Sequence, residues 1–203
     1  MTLLEVLKFP DPRLRRRCEP VEKVTPELQQ LAKDMLETMY SFNGIGLAAA
    51  QVDRTVRLLV VDTRPKNEEG KRYDNSEQTD LEKAIDQPLI LFNPVIVKKE
   101  GKTTFDEGCL SVPGYYETVE RFDLIEVEAL DINGKKITIK TDGLLAICIQ
   151  HEIDHLDGKL FIDRLSLVKS NRIKSKIKKY GYPDPEEQDE ENKNKEPAGV
   201  GSL

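Results

Sequence analysis

The sequence predicts an α+β fold, with antiparallel or mixed β-sheets around a central helix carrying His-Glu-x-x-His. An amphipathic helix precedes it and a further helix follows. Three observations carry this. Strand-like segments precede and surround one apolar helix instead of alternating with helices. The run Gly143-Leu144-Leu145-Ala146-Ile147-Cys148-Ile149 is apolar enough to be buried and leads into Gln150-His151-Glu152-Ile153-Asp154-His155. Asn133-Gly134, set between two alternating stretches, is the strongest hairpin signal in the chain.

Taken in order, Leu3-Leu4-Glu5-Val6-Leu7 reads as a short strand or extended arm, closed by Pro10-Asp11-Pro12. Thr25 is the expected N-cap of a helix with Pro26 at its first position, where the missing N–H costs nothing. Leu28, Leu31, Ala32, Met35, Leu36 and Met39 then recur at helical spacing, so one face should meet the core. The helix is expected to stop near residues 41–44. Gly44-Ile45-Gly46-Leu47-Ala48-Ala49-Ala50-Gln51 has almost no side-chain bulk, which lets another backbone or a substrate approach. It lacks the signature of a phosphate cradle, and its plainest reading is a tight helix-to-strand connection.

Residues 56–61 form a strand, and 62–87 a long exposed excursion with little structure of its own. Strand character returns over 89–97, broken at Asn93-Pro94, and continues as one or two strands over 119–130. Residues 136–140 close the hairpin. Thr141 or Asp142 should cap the central helix and Gly158 should end it. Residues 165–180 read as a basic helix with Ile173, Ile177 and Tyr180 on one side.

A chain of 203 residues suits one catalytic-size domain, 1–183, followed by an acidic, unstructured tail over 184–203. The net charge of −6 conceals a basic segment followed by that acidic one. No window approaches the ~18 apolar residues of a membrane span, and the N-terminus lacks the features of a secretory signal. Three cysteines, an odd and sparse count, point to a reducing cytoplasm rather than a disulfide framework. Neither a membrane nor DNA is expected as a partner.

His151 and His155 are the only two histidines, and they stand four residues apart. On a helix that spacing puts both imidazoles on one face, where they can share a metal ion, with Glu152 able to reach a water beside it. The bland alternative is a pair of ordinary surface histidines, so a third ligand decides. Hydrolases built on this helix motif use three protein ligands and leave the fourth position to water. A third histidine is absent, since position 161 is Phe, and no glutamate occurs between Leu156 and Pro185. Asp163, in the strand-like Leu160-Phe161-Ile162-Asp163, would need a sharp return and would make the chain a metal-dependent endopeptidase.

Among the cysteines, Cys148 has apolar neighbours that suit a packed thiol, and Cys18 follows Arg15-Arg16-Arg17 in a polar arm. Cys109 is flanked by Gly108 and acidic residues. A thiolate binds a borderline-soft divalent ion strongly, so Cys109 is the best third ligand. A purely structural metal site would need a second well-placed cysteine.

Three stretches, Gly44 to Gln51, Glu107-Gly108-Cys109-Leu110-Ser111 and Gln150 to His155, resemble the signature motifs of peptide deformylases in order and spacing. Ala50, where the family usually has another residue, and Tyr116, where some members carry arginine, depart from the pattern. The resemblance implies removal of the formyl group from formyl-methionine on nascent peptides. It implies one divalent ion on Cys109, His151 and His155, with Fe2+ native and Zn2+, Ni2+ or Co2+ also suited. Glu152 would serve as general base and acid, and the Gln51 amide with the Leu110 N–H would face the formyl oxygen. Gly46 and Gly108 would flank the peptide backbone as an added strand. Ile45, Phe105, Leu144, Ile147 and Cys148 would line a methionine pocket, with Glu107 and Arg121 bracing the metal loop. The 165–180 helix is expected either to lie solvated on the domain or to contact ribosomal RNA on the ribosome.

Overall fold

Antiparallel pairing dominates the computed structural model, which describes residues 2–67, 70–73 and 78–182. The described strands are β1 (Gly46–Ala48), β2 (Leu58–Val61), β3 (Leu89–Glu100), β4 (Thr103–Glu107), β5 (Glu117–Arg121), β6 (Leu124–Leu130) and β7 (Lys136–Thr141). One sheet has the order β1-β2-β3-β6-β7, and β4 pairs with β5 as a separate ladder. The helices are α1 (Pro26–Ser41), α2 (Asp80–Lys83), α3 (Gly143–Leu156) and α4 (Leu167–Tyr180). The α+β reading therefore holds.

The central helix, α3, is apolar on all sides through Ile149, and a helix of that kind has to be enclosed. Every residue from Leu145 to Glu152 is buried, against β1, β2 and β6. On another side of the sheet, α1 lays Ala32, Met35 and Met39 against Leu47, Leu58, Val60 and Phe92. Its Thr25 cap accepts from the Leu28 N–H at 3.4 Å. The Asn133-Gly134 hairpin joins β6 to β7; Gly134 has φ of 77°, and Asp131 accepts from the Asn133 and Lys135 N–H groups. The break at Asn93 is a bulge, with φ of 51° and the side chain pairing with both backbone groups of Val21.

Residues 3–7 form the extended arm rather than a strand. It is tied by Leu7 N–H to the Gln51 carbonyl at 2.7 Å, and Phe9 N–H reaches Ser111 O at 2.8 Å. Residues 160–163 are not strand-like: Phe161–Asp163 is a 3-10 helix, because Asp163 folds back to accept the Leu160 N–H at 2.9 Å. Cys18 is buried, at 5% exposure, despite its polar neighbours.

The excursion also departs from expectation. Its ends are buried at Asp62, Thr63 and Gln87, and α2 places Glu82 at the start of α3. Asp142 flanks α3 but makes no side-chain cap; Glu82 does so instead, accepting from Leu145 N–H at 2.9 Å. Gly158 ends α3 with φ of 73°, as expected. In α4, Ile173 and Ile177 are buried against Leu14, Phe161 and Ile162, while Tyr180 is 70% exposed and leaves the stripe. The expected acidic tail over 184–203 lies outside the described residues.

Candidate metal centre

The last two turns of α3 carry His151 and His155, and the loop leaving β4 carries Cys109. All three are buried and bring their ligand atoms within 4.8 Å of one another. His155 Nε2 is 3.2 Å from Cys109 Sγ and 3.2 Å from His151 Nε2. Donors held tetrahedrally at about 2.0–2.3 Å from one ion lie about 3.5 Å apart, so the cluster fits a single divalent ion.

The protonation pattern supports the fit. His151 Nδ1 is 2.8 Å from Glu107 Oε2, and a carboxylate there accepts a hydrogen bond from Nδ1–H, the tautomer that turns the Nε2 lone pair toward the cluster. Burial, reinforced by His151, holds the His155 imidazolium well below its usual range, so the ring is neutral as a ligand must be. Burial and the nearby Glu152 carboxylate push the Cys109 thiol up in the protein alone. A divalent ion held there would reverse that preference, because a coordinating thiol is deprotonated.

Behind the ligands lies a chain of buried charges. Arg121 forks onto Glu107 through Nε–Oε1 at 2.6 Å and Nη2–Oε2 at 2.8 Å. Its Nη1 reaches Asp154 Oδ2 at 2.5 Å, and Arg164 closes on the same carboxylate with Nη2–Oδ1 at 2.6 Å. Burial raises Glu107, but its bonds to Arg121 and His151 outweigh that and bring it down to about 2. The Glu107–Arg121 pair is the one the family resemblance implies, whereas Asp154 and Arg164 lie outside that pairing. Their only hint in the sequence is that Asp154 sits within the histidine motif.

Glu152 has the opposite environment. It is fully buried, neither carboxylate oxygen has a protein partner, and burial pushes its pKa well above the ordinary range. It presses against β1 so closely that a Cβ on Gly46 would stand 2.3 Å from Glu152 Oε1 and 2.7 Å from Cys148 Sγ. Only glycine leaves that space.

Gln51 follows β1 in a short 3-10 helix, Ala49–Val52. The Ala48 N–H donates to its Oε1 at 2.8 Å, which fixes the amide so that Nε2 points inward. That Nε2 donates to Ser111 Oγ at 3.2 Å and lies 3.7 Å from Cys109 Sγ. Ser111, the last residue of the quoted Gly-Cys-Leu-Ser stretch, is thus a buried anchor that sequence reasoning passed over. Gln150 also lies in a motif but faces away, bonding both backbone groups of Phe122 at 2.9 Å. Gly108 and half-buried Leu110 flank Cys109, and the Tyr116 ring covers Gly108 so tightly that a Cβ there would be 2.4 Å from it. Ile45, Ile147 and Cys148 share one core cluster, with Leu144 and Phe105 partly buried against it.

Asp163 is elsewhere. It is bound by Arg15, with Nη2–Oδ1 at 3.1 Å, and by Lys174 at 3.8 Å. In its place Phe161 stacks near His151, ring centroids 6.4 Å apart. Among the described residues Cys109, His151 and His155 are the group that can hold an ion, with no fourth protein ligand.

Comparison with known proteins agrees with this geometry. The sequence pattern of the family Polypeptide deformylase matches residues 3–171. This chain belongs to that family. It is an enzyme of a metal-dependent hydrolase family, and the endopeptidase alternative finds no support. A peptide deformylase of Neisseria meningitidis serogroup B is 49% identical over 179 residues, covering 88% of this chain and 96% of the relative. One from Acinetobacter baumannii is 46% identical over 180 residues, covering 88% and 92%. The crystal structure of peptide deformylase from Ehrlichia chaffeensis superposes with a TM-score of 0.77 at 40% identity, covering 90% of this chain and 99% of that one.

Proposed function

We propose that this chain removes the formyl group from the N-terminal formyl-methionine of nascent proteins, with Glu152 moving the proton. The observation that carries the reading is a buried, unpartnered carboxylate beside a three-ligand cluster that has no fourth protein donor. Cys109, His151 and His155 would hold one divalent ion, Fe2+ natively by family resemblance, with Zn2+, Ni2+ and Co2+ also matching the donor set. Bound there, the ion supplies Lewis acidity, bringing the pKa of a coordinated water toward neutrality.

The protein's own groups do the rest. Glu152 takes a proton from the attacking water as the new C–O bond forms at the formyl carbon. It returns the proton to the methionine nitrogen as the C–N bond breaks, so formate and a free amine leave. Negative charge grows on the formyl oxygen, where the Gln51 Nε2–H and the Leu110 N–H donate; the Ala48 bond to Gln51 supports this by fixing the amide in advance. Ile45, Phe105, Leu144, Ile147 and Cys148 supply the apolar slot for the methionine side chain. Gly46 and Gly108 offer backbone on either side of an extended peptide. Pairing through backbone allows many nascent sequences to be accepted.

The reading includes residues 1–183 as one catalytic domain in the cytoplasm, supported by the sparse cysteines; among the described residues no helix is long and apolar enough to cross a membrane. It also includes docking of α4 on the ribosome, supported by exposed Arg172, Lys176, Lys178 and Lys179. Co-sedimentation that is unchanged at low salt when residues 165–203 are deleted would remove that part.

The principal test is formate release from formyl-Met-Ala-Ser by anaerobically purified protein with its metal measured, alongside Cys109→Ser. Metal and activity should fall together in the variant. A Cys109→Ser protein that kept both would overturn the ligand assignment.

A further inference from the structure

We propose that Arg72, reaching in from the 62–87 excursion, is a positioning residue that presets the β1 edge for peptide binding. The inference rests on the reading above that backbone at Gly46 pairs with the substrate.

The turn from α1 into β1 is capped locally on its N–H side only, Asn43 N–H reaching the Tyr40 carbonyl at 3.1 Å and Gly44 N–H the Met39 carbonyl at 2.9 Å. Asn43 takes φ of 57°, the left-handed position that asparagine accepts after a helix, and Gly44 follows with no side chain at all. The excursion supplies the hold on the carbonyl side. Arg72, whose side chain is 8% exposed, donates from Nη2 to the Gly44 carbonyl at 2.8 Å and from Nη1 to the Arg64 carbonyl at 2.5 Å. Its Nε lies 3.5 Å from Asp62 Oδ2, and its guanidinium sits 5.1 Å over the Tyr40 ring. Tyr40 Oη in turn donates to Asp62 at 2.8 Å, so the cation is fixed by α1 as well as by the excursion. Lys66 adds a bond to the Asn43 side chain at 2.9 Å, and Asp62 N–H one to the Ile45 carbonyl at 2.8 Å.

These contacts converge on the three residues before Gly46, the glycine whose missing Cβ admits Glu152. Gly44 is also pressed on Leu110, since a Cβ there would stand 2.9 Å from Leu110 Cδ1. A charge-assisted donor holds a carbonyl about twice as strongly as a neutral one. An edge that is ordered beforehand saves a peptide the ordering cost on binding. The saving grows with each substrate residue that pairs along the edge, whereas the formyl-methionine itself is held by the pocket and the metal centre. Arg72 should therefore govern KM for longer peptides and leave the chemical step alone.

The test compares wild type, Arg72→Met and Arg72→Lys on formyl-Met amide and on formyl-Met-Ala-Ser, with metal content and far-UV circular dichroism matched. Wild type should gain in kcat/KM with the longer peptide. Arg72→Met should lose that gain through a KM raised about ten-fold, the equivalent of one charged hydrogen bond, with kcat on the short substrate unchanged. Arg72→Lys keeps charge and stem but not the fork, and should lose part of the gain; it also guards against a Met variant that folds poorly. If wild type shows no gain with length, the edge-pairing reading itself fails. If wild type gains and both variants keep the full gain, or both substrates suffer alike, the assignment of Arg72 is overturned.

Discussion

Glu107 and Glu152 are both fully buried, and both stand beside the same pair of histidines, yet they are set up for opposite work. Glu107 ends β4 and is forked by Arg121 and bonded to His151 Nδ1, so its charge is fixed and its proton is out of play. Glu152 lies on α3 with neither oxygen partnered in the protein. Burial raises the pKa of both groups; only at Glu107 do hydrogen bonds and opposite charge override it. The difference teaches that composition does not assign roles among buried carboxylates. The partner does. A satisfied carboxylate orients its neighbour, and on the proposed reading an unsatisfied one beside the metal-binding cluster would be free to carry a proton.

Substitutions around the two glutamates should separate proton transfer from bracing. On the Glu152 side, Gln51→Ala removes the amide that the proposed reading turns toward the formyl oxygen. It should lower kcat for formyl-Met-Ala-Ser by about 100–1,000-fold with metal content unchanged. A decrease of that size accompanied by metal loss would instead make Gln51 part of the brace. On the Glu107 side, Glu107→Gln leaves shape but takes away the charge that holds His151 Nδ1–H and Arg121. Metal affinity, read by competition with a chelator, should weaken about 10–100-fold, and activity should return when excess metal is added. Smallest of all, Asp163→Ala breaks partly exposed ion pairs with Arg15 and Lys174 and the bond from Leu160 N–H. Metal content should stay at the wild-type level and stability should fall by about 1–2 kcal/mol, measured as a denaturant midpoint. Loss of metal there would revive Asp163 as a ligand.

The same contrast explains what was legible in the sequence. The two histidines were legible because helical periodicity alone puts them on one face, and Cys109 because few other donors exist to complete the set. Asn133-Gly134 and Thr25-Pro26 were legible because turn and cap chemistry is local. Asp154 was not, since an acid on a helix reads as solvent-facing until Arg121 and Arg164, distant in sequence, arrive to neutralise it. The excursion misled for a related reason. Asp62, Glu82 and Arg72 look like surface residues, but each is buried or nearly so because a charge or a backbone group elsewhere satisfies it. Apolar patterns announce a core, whereas buried polar networks leave no periodic trace. Glu82, capping α3 from 63 residues away, has no local sequence signal at all.

The most direct measurement is turnover of Glu152→Gln at matched metal occupancy, using formate release from formyl-Met-Ala-Ser as the readout. The variant keeps the volume and the three ligands but has no carboxylate to accept a proton. Metal content should equal that of wild type while kcat falls by about 100–10,000-fold. A metal-loaded Glu152→Gln protein that turns over at the wild-type rate would contradict the assignment of the proton to Glu152, and with it the division of labour between the two glutamates.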